Sequence, residues 1–466
     1  MDKFDVIVIG SGSGMIVASD AVENGLKVAL IDKGPPLGGT CLNWGCIPSK
    51  MLIYPADVVA MIQEAERIGI KAKIESINFQ NIMQRMRRLV TEENQGMAEG
   101  VKNTTGIKWF KELGEFVSDY TMQVGNMKIK GDKIFIASGA RPFIPPIKGI
   151  DSVEYLTNET VLELEKLPKS IIIIGGGYIG CEYGHFFAGM NSEVTIVELG
   201  PKLVPAEEPE ISELLKKEME KRMAIRTSHQ VVEVKEKNGT KIVVAKDTAT
   251  QQIKEFSAEA LMIAVGRKPN SDLLKPEKTG VEVDNKGFIK VNEYLETTKE
   301  NIWAFGDAID KQMFRHAANY EAQVVLHNAF SKGKNKVPVE LSATPHAVFT
   351  HPPIASVGLT EAEAKKEFKS ILVGYYHYKE TAKGSAMGEP EGFVKVIVHH
   401  DTGKILGGHI IGPFAPELIQ EIVNAMNYGN GSYAPIVLAM HIHPAATEVV
   451  KWAFGNLRHV EEEEIK

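Results

Sequence analysis

The chain has 466 residues, of which 44% are hydrophobic and 24% charged, an ordinary composition for a globular protein with large cores. Its length corresponds to about three domains of roughly 150 residues each. The formal net charge of −7 argues against a nucleic-acid partner, because phosphate binding relies on a basic surface. No apolar run approaches the roughly 20 residues that span a bilayer, and the N-terminus carries no signal-like segment, so we expect no membrane partner and a cytoplasmic location.

The first predicted elements are a strand, a glycine-rich turn, a helix and a second strand. Apolar runs over residues 5–10 and 27–32 predict two strands that are buried on both faces. The turn suits a dinucleotide pyrophosphate at a helix N-terminus, and Asp32 suits a ribose hydroxyl. Met15 replaces the third glycine of the usual pattern, so we expect the helix to lie slightly further from the strand. The glycines of this turn are Gly10, Gly12 and Gly14.

Three cysteines are too few for the disulfide framework of a secreted scaffold. Cys41 and Cys46 are close together, whereas Cys181 stands alone and is expected to be a packed free thiol. A zinc site would need further ligands close by, and the sequence around the pair has no histidine. We therefore interpret the pair as redox-active and expect no bound metal.

The spacing of the two cysteines predicts an irregular turn. In a regular helix, residues five apart have Cα atoms roughly 8.7 Å apart, whereas disulfide closure needs about 4.4–6.8 Å. Gly39 and Gly45 permit the irregular backbone that such a bond requires. Pro48 suits an early helical position, which places Cys46 at a helix N-terminus where a thiolate is stabilised.

Residues 114–136 alternate in polarity, with turn residues at Gly125 and Gly131, and predict a small antiparallel meander.

A second unit of the same kind as the first follows later in the chain. Apolar runs over 170–174 and 192–198 then repeat the strand, turn, helix and strand order. Two such units in one chain predict two separate dinucleotide-binding domains. The second turn contains Gly175, Gly177 and Gly180, and its acid is Glu198.

The character of the sequence changes after residue 340. The runs 391–400 and 404–411 predict a hairpin, and residues 416–427 predict an amphipathic helix. The expected fold class is therefore α/β, with two Rossmann-like dinucleotide-binding domains and an α+β C-terminal domain.

The cysteine segment 39–50 resembles the redox-active disulfide of the class I pyridine nucleotide-disulfide oxidoreductase family, which includes dihydrolipoamide dehydrogenases. Further segments that share this resemblance are 137–142, 264–270, 304–307 and 350–361. The resemblance implies a FAD-binding domain over residues 1–145, an NAD-binding domain over 146–267, a returning FAD segment over 268–340 and a dimerisation domain over 341–466.

The resemblance also implies the residues that hold the two cofactors. Lys50 and Glu182 resemble the family's ion pair beside the flavin and the nicotinamide. The residues expected to hold FAD are Gly10, Gly12, Gly14, Asp32, Lys33, Gly39, Thr40, Lys50, Ser138, Gly139, Arg267, Gly306 and Asp307. Those expected to hold NAD are Gly175, Gly177, Tyr178, Ile179, Gly180, Glu198 and Gly266.

A candidate base lies near the C-terminus. Imidazole suits deprotonation of a dithiol near neutral pH, and a carboxylate on its other nitrogen fixes the tautomer. His443 and Glu448 match the family's His-Pro-x-x-x-Glu motif, although the spacing alone would favour an ordinary structural histidine. The resemblance implies that this base reaches the disulfide of the partner subunit in a homodimer. His441 is expected to be a surface or core residue.

Together these features imply a FAD-dependent NAD:disulfide oxidoreductase with the Cys41–Cys46 pair as its redox disulfide. We expect oxidation of dihydrolipoamide, on the lipoyl domain of a 2-oxoacid dehydrogenase complex. NADH is favoured over NADPH because Glu198 would repel a 2′-phosphate. A reductase of another small disulfide and a mercuric reductase-like enzyme stay open as alternatives. Met15, in place of the third glycine, indicates that the chain differs from typical lipoamide enzymes.

Overall fold

The computed structural model of the chain describes residues 1–34, 36–330 and 335–460. Its α-helices are α1 (Gly14–Glu23), α2 (Gly39–Asn43), α3 (Cys46–Glu64), α4 (Phe79–Asn103), α5 (Tyr178–Gly189), α6 (Pro209–Glu220), α7 (Arg315–Phe330), α8 (Glu361–Glu367), α9 (Ala382–Ala386), α10 (Ala415–Asn427), α11 (Ala434–Leu438) and α12 (Glu448–Gly455).

The strands that the structure describes fall into several sheets. In chain order they are β1 (Asp2–Ile9), β2 (Val28–Ile31), β3 (Ile107–Phe110), β4 (Gly114–Ser118), β5 (Thr121–Val124), β6 (Met127–Ile136), β7 (Ala140–Pro142), β8 (Ser170–Ile174), β9 (Glu193–Val197), β10 (Ala224–Arg226), β11 (His229–Lys237), β12 (Thr240–Asp247), β13 (Ile253–Ala258), β14 (Ala260–Ile263), β15 (Arg267–Pro269), β16 (Ile302–Ala304), β17 (Pro345–Val348), β18 (Ile354–Gly358), β19 (Ile371–His377), β20 (Phe393–His399), β21 (Ile405–Ile411) and β22 (Leu457–Val460).

The first sheet is built around β1, the strand that leads into the first glycine turn. Its order is β3-β2-β1-β6-β5-β4, and β16 returns from later in the chain to pair with β6. β1 pairs in parallel with β2 and β6, and its last residues are fully buried. β4, β5 and β6 pair antiparallel, so the predicted meander over residues 114–136 is confirmed.

One detail of that meander was predicted wrongly. β6 runs without interruption through Gly131, which therefore does not form a turn. A Cβ atom there would lie 2.7 Å from the side chain of Ile7 on the neighbouring β1, so a larger residue would have to displace that side chain. In this strand the glycine marks close packing across the sheet, a role that sequence cannot distinguish from a turn.

The second unit repeats the parallel arrangement. β8 pairs in parallel with β9 and β14, in the order β10-β9-β8-β14, so both predicted strands of this unit are confirmed. The antiparallel sheet β11-β12-β13 lies in the same unit. The two crossings between the units, β7 and β15, pair with each other antiparallel. Both chain crossings therefore pass through one short ribbon.

The C-terminal part is a six-stranded antiparallel sheet with the order β17-β18-β21-β20-β19-β22. β20 and β21 form the predicted hairpin, and α10 is the predicted amphipathic helix. The sheet and its helices enclose a separate apolar core. The α+β character that the sequence predicts for this region is confirmed.

The helical run Gly39–Ile68 could cross a membrane by length and composition alone. It is not one continuous α-helix, because α2 and α3 are separated at Trp44 and Gly45. α3 also packs against α4 and α5 inside the protein. These contacts make α3 the link between the two dinucleotide-binding units.

Candidate active site

One cavity of about 1750 Å³ runs past both glycine-rich turns and the cysteine pair. Every residue that the sequence assigns to FAD or NAD lines this cavity except Gly14 and Gly180. The cavity lies at the carboxyl ends of β1 and β8, which is where ligands bind in open α/β sheets. The structure thus brings the two predicted nucleotide sites and the disulfide segment together.

The first glycine turn is held by Asp32. Its carboxylate accepts hydrogen bonds from the backbone amides of Ser11 at 2.8 Å and Gly34 at 3.0 Å. The close approach of α1 to the sheet occurs at Gly14, where a Cβ atom would lie 2.9 Å from a side chain of β1. Met15 is half-buried against the first core. Gly14 thus allows α1 to pack closely on the sheet, one residue before the position of the third glycine in the usual pattern.

The second glycine turn is built in the same way. Glu198 accepts hydrogen bonds from the backbone amides of Gly176 and Gly200, each at 2.6 Å. A Cβ atom at Gly180 would run into the carbonyl oxygen of Gly175, so this turn needs the third glycine of its pattern. Asp32 and Glu198 therefore each stabilise their own glycine turn through hydrogen bonds to backbone amides.

The cysteine pair spans the break between two helices. α2 ends at Asn43 and α3 begins at Cys46, with Trp44 and Gly45 outside both. The predicted irregular turn is confirmed, as is the position of Cys46 at a helix N-terminus. Both cysteines are free thiols, and the hydrogen bond between them is the largest influence on the pKa of each.

That hydrogen bond gives the two sulfurs opposite properties. It lowers the pKa of Cys46 to about 6, and the positive charge of Lys50 adds to the effect. The same hydrogen bond, together with burial, raises the pKa of the Cys41 thiol well above its ordinary value. The pair therefore favours the thiolate form of Cys46 and the protonated form of Cys41. Cys181 is fully buried, and burial raises the pKa of its thiol, as expected for a packed residue.

The predicted ion pair lies beside the cysteines. Lys50 Nζ donates to both carboxylate oxygens of Glu182 at 2.9 Å, one turn beyond Cys46 on α3. Glu182 Oε1 also accepts from the backbone amide of Phe349 at 3.1 Å, and Lys50 Nζ lies 4.3 Å from the centre of the Phe349 ring. One carboxylate thus connects the disulfide helix, the second unit and the C-terminal domain.

Ser138, Arg267 and Asp307 lie where a bound FAD would meet them. Ser138 Oγ is buried and has no hydrogen-bond partner among the described residues, as expected of an atom whose partner is a bound ligand. Arg267 Nε lies 3.4 Å from the carboxylate of Asp307, and Arg267 also reaches Thr40 Oγ1 at 3.4 Å. Burial raises the pKa of Asp307 above its ordinary value. These groups converge on one wall of the cavity and offer the polar partners that a ribityl chain requires.

The predicted base and its acid are in contact. His443 Nδ1 lies 2.9 Å from Glu448 Oε1, and the backbone amide of Ala445 donates to the other carboxylate oxygen at 3.0 Å. The hydrogen bond from His443 lowers the pKa of Glu448. His441, in contrast, is packed and pairs with Glu421 at 2.9 Å, which matches its expected structural role.

His443 lies on an apolar surface rather than in the cavity of its own chain. Its side chain is 70% exposed, and neither it nor Glu448 lines the cavity. Around it, Leu438, Met440 and Ile442 are 80% exposed or more. Such a concentration of exposed apolar side chains is typical of a protein–protein interface.

Some buried polar residues near the site were missed from the sequence. Glu321 is fully buried and accepts a hydrogen bond from the amide of Gly306 at 2.6 Å, and burial raises its pKa to about 7. Glu207 is buried between His346 and Ser356, with 2.6 Å to each. Nothing local in the sequence marks either residue, because α7 carries several other polar side chains beside Glu321.

Comparisons with known proteins agree with this geometry. Residues 4–323 match the family model described as pyridine nucleotide-disulphide oxidoreductase, and residues 344–454 match the dimerisation domain of the same family. The chain is 32% identical to a mycothione reductase of Mycobacterium tuberculosis, covering 98% of this chain and 100% of the relative. It is 34% identical to a dihydrolipoyl dehydrogenase of Chlorobaculum parvum, covering 97% and 96%.

A solved structure agrees as well. The Cu(II) complex of the HOCl-induced flavoprotein disulfide reductase RclA from Escherichia coli superposes with a TM-score of 0.86 at 28% identity, covering 98% of this chain and 99% of that chain. The predicted fold class is therefore confirmed, and so are FAD and a nicotinamide nucleotide as the cofactors of the family. The dimerisation domain supports a homodimer.

Proposed function

The chain belongs to the pyridine nucleotide-disulphide oxidoreductase family, and from that premise we propose that it oxidises dihydrolipoamide with NAD⁺. The observation that carries the proposal is the His443–Glu448 pair. A dithiol must lose a proton before it can attack a disulfide, and an imidazole whose Nδ1 is bonded to a carboxylate presents its Nε2 as the base. The exposed position of His443 on an apolar face suits a base that serves the partner subunit.

The first step of the proposed reaction is thiol–disulfide exchange. His443 Nε2 takes a proton from the dithiol, and the resulting thiolate attacks the sulfur of Cys41. The Cys41–Cys46 bond breaks, and Cys46 leaves as a thiolate. Attack at Cys41 is favoured because the sulfur with the lower pKa is the better leaving group.

The second step closes the product disulfide. The remaining substrate thiol attacks the substrate sulfur of the mixed disulfide and displaces Cys41, which takes up the proton that this second thiol loses, while His443 keeps the proton from the first step. Lys50 stabilises the Cys46 thiolate while the cysteine pair holds the two electrons. Bound FAD supplies the two-electron carrier between the cysteine pair and NAD⁺.

The preference for NADH over NADPH rests on Glu198. Both of its carboxylate oxygens are fixed by backbone amides, so the negative charge cannot turn away from a ligand. No ion pair neutralises Glu198 among the described residues. A 2′-phosphate would meet this charge directly, whereas a 2′-hydroxyl can donate to it.

A second candidate is reduction of the disulfide of a small thiol. Met15 favours it, because the first turn departs from the usual glycine pattern and is seated by Gly14 instead. The similarity to a mycothione reductase supports the same class of substrate. In this direction NADH would reduce the Cys41–Cys46 disulfide through bound FAD. His443 would then take the proton of Cys41, and the resulting Cys41 thiolate would attack the incoming disulfide.

Metal ions are weaker candidates as substrates. Residues 449–466 contain no cysteine that could pass a soft metal ion to the redox pair. In the described part of the chain, no group of three or more histidine, cysteine, aspartate or glutamate side chains could hold a metal ion.

We also propose a cytoplasmic location, because a reducing compartment suits a chain with one close cysteine pair. The proposed macromolecular partner is a lipoyl domain, because such a domain carries the dihydrolipoamide of the first candidate reaction.

A substrate panel tests these proposals. Turnover is measured with dihydrolipoamide and lipoamide, glutathione disulfide, mycothiol disulfide, Cu(II) and Hg(II), each with NAD(H) and NADP(H). We expect the highest kcat/KM with lipoamide substrates and NAD(H). Turnover confined to a small-thiol disulfide would replace the first candidate with the second, and equal kcat/KM with both nucleotides would contradict the role given to Glu198.

A further inference from the structure

Among the residues that the structure describes, one lysine or arginine side chain of the cavity wall is neither paired with a carboxylate nor exposed. Three of the basic residues along its wall are paired with carboxylates, and two others are exposed. Arg315 is half-buried, and among the described residues it has neither a hydrogen bond nor an ion pair. The paired residues are Lys50, Arg141 and Arg267, and the exposed ones are Lys33 and Lys311.

Arg315 also occupies an unfavourable position in its helix. It is the first residue of α7, at the positive end of the helix dipole, and no acidic side chain lies in that first turn. A cation at that end of a helix is destabilising. A half-buried arginine at this end of a helix is therefore expected to have an anionic partner that is not part of the chain.

The helix is docked so that Arg315 faces the first glycine turn. Asn319, one turn further along α7, accepts a hydrogen bond from the hydroxyl of Ser13 at 2.9 Å. Residues four apart lie on the same helix face, so Arg315 and Asn319 both point toward this turn. Arg315 Nη1 lies 3.8 Å from the Cβ position of Gly12, as does the Cα atom of Gly39.

We propose that Arg315 pairs with the diphosphate of bound FAD. Gly12 is the residue whose missing side chain lets a pyrophosphate approach the turn, and the guanidinium lies at that same point. Arginine forms two parallel hydrogen bonds with phosphate oxygens, which suits the open site between Gly12 and Gly39. The turn itself offers only backbone amides and the helix dipole, so Arg315 supplies the missing full positive charge.

The proposal is independent of which disulfide the enzyme uses, since FAD is the cofactor of the whole family. The rival assignment is an anionic substrate, because the charge of Arg315 is also felt at Cys41. A diphosphate partner affects the affinity for FAD itself, whereas a substrate partner affects only the KM for the disulfide. The two assignments therefore separate in one set of variants.

The test uses the holoenzyme, from which FAD is removed reversibly and then titrated back while flavin fluorescence is followed. Arg315→Met keeps the side-chain length without the charge, Arg315→Lys keeps the charge, and Arg88→Ala removes an exposed arginine of α4 as the control. We expect Arg315→Met to weaken FAD binding about 10- to 100-fold, Arg315→Lys to weaken it less, and the control to match wild type. Raising the salt concentration should weaken FAD binding more in wild type than in Arg315→Met.

The thermal stability of the FAD-free protein excludes a merely structural role. Loss of a cation from the positive end of α7 should leave the melting temperature of Arg315→Met equal to or above that of wild type. Wild-type affinity of Arg315→Met for FAD would overturn the proposal. A raised KM for the disulfide with unchanged FAD affinity would overturn it too, and would assign Arg315 to the substrate.

Discussion

The asymmetry of the cysteine pair can be tested by replacing Cys41 in two ways. Cys41→Ser and Cys41→Ala both remove the disulfide and leave Cys46 as a lone thiol, so the two variants differ only in the hydrogen-bond donor. Because the Cys41 donor is the main cause of the low pKa of Cys46, the serine variant should keep a pKa of about 6 or lower. The alanine variant should titrate at a higher pH.

The size of the difference follows from the strength of one hydrogen bond to a charged sulfur. Such bonds contribute about 1.5–3 kcal/mol, and the lower end applies because Cys46 is exposed to the cavity. A value of about 1.5 kcal/mol corresponds to about one pH unit, so Cys46 should titrate near pH 7 in Cys41→Ala. Lys50 remains in both variants and keeps the pKa below the ordinary value of 9.0.

The assay is a pH titration of the oxidised holoenzyme. A thiolate against oxidised flavin gives a long-wavelength charge-transfer band, whose amplitude is recorded between about pH 4 and pH 10 for both variants. Cys46→Ser serves as the control and should show no band while FAD stays bound. Identical midpoints for the serine and alanine variants would refute the reasoning, because the hydrogen bond from Cys41 could then not be the cause of the low pKa.

Three further outcomes are expected. His443→Gln should slow reaction with the dithiol about 10²- to 10⁴-fold in stopped-flow measurements and leave flavin reduction by NADH unchanged, whereas equal losses in both half-reactions would contradict its role as the base. Glu198→Gln should lower the ratio of kcat/KM for NADH to that for NADPH about tenfold or more, and an unchanged ratio would remove the basis for the NAD preference. Glu321 has its pKa raised by burial from 4.5 to about 7, so the folded protein holds this proton more tightly and becomes less stable as the pH rises from about 4.5 through 7. Glu321→Gln should flatten that decline and add about 3 kcal/mol to the free energy of unfolding above pH 8, measured by denaturant titration, and an unchanged slope would contradict the assignment.

Elements with a strong local signal could be predicted from the sequence. Short apolar runs that end at glycines define β1 and β8, and the alternating runs before and after residue 402 define the C-terminal hairpin. The irregular turn between the cysteines also follows from local geometry, since no regular helix can bring residues five apart to bonding distance. Gly131 shows the limit, because a glycine inside a strand carries the same local signal as a glycine in a turn.

The contacts that give the site its chemistry could not be derived locally. Lys50 meets Glu182 across 132 positions of the chain, and only the resemblance to a family predicted that they would pair. Arg315 and Glu321 had no such guide, because their importance comes from what α7 packs against. Burial of a charge depends on distant segments, and hydrophobic periodicity does not record which distant segments meet.

The shared hydrogen bonds of Glu182 limit how this protein can be divided or recombined. The carboxylate that orients Lys50 is itself oriented by the backbone of Phe349, which lies in the C-terminal domain. In a shortened chain that ends before residue 344, the ammonium group beside Cys46 would lose this constraint and be free to reorient. The C-terminal domain therefore cannot be exchanged without affecting the orientation of Lys50. Chimeras that exchange it between relatives should be selected for the backbone position of Phe349 as well as for subunit association.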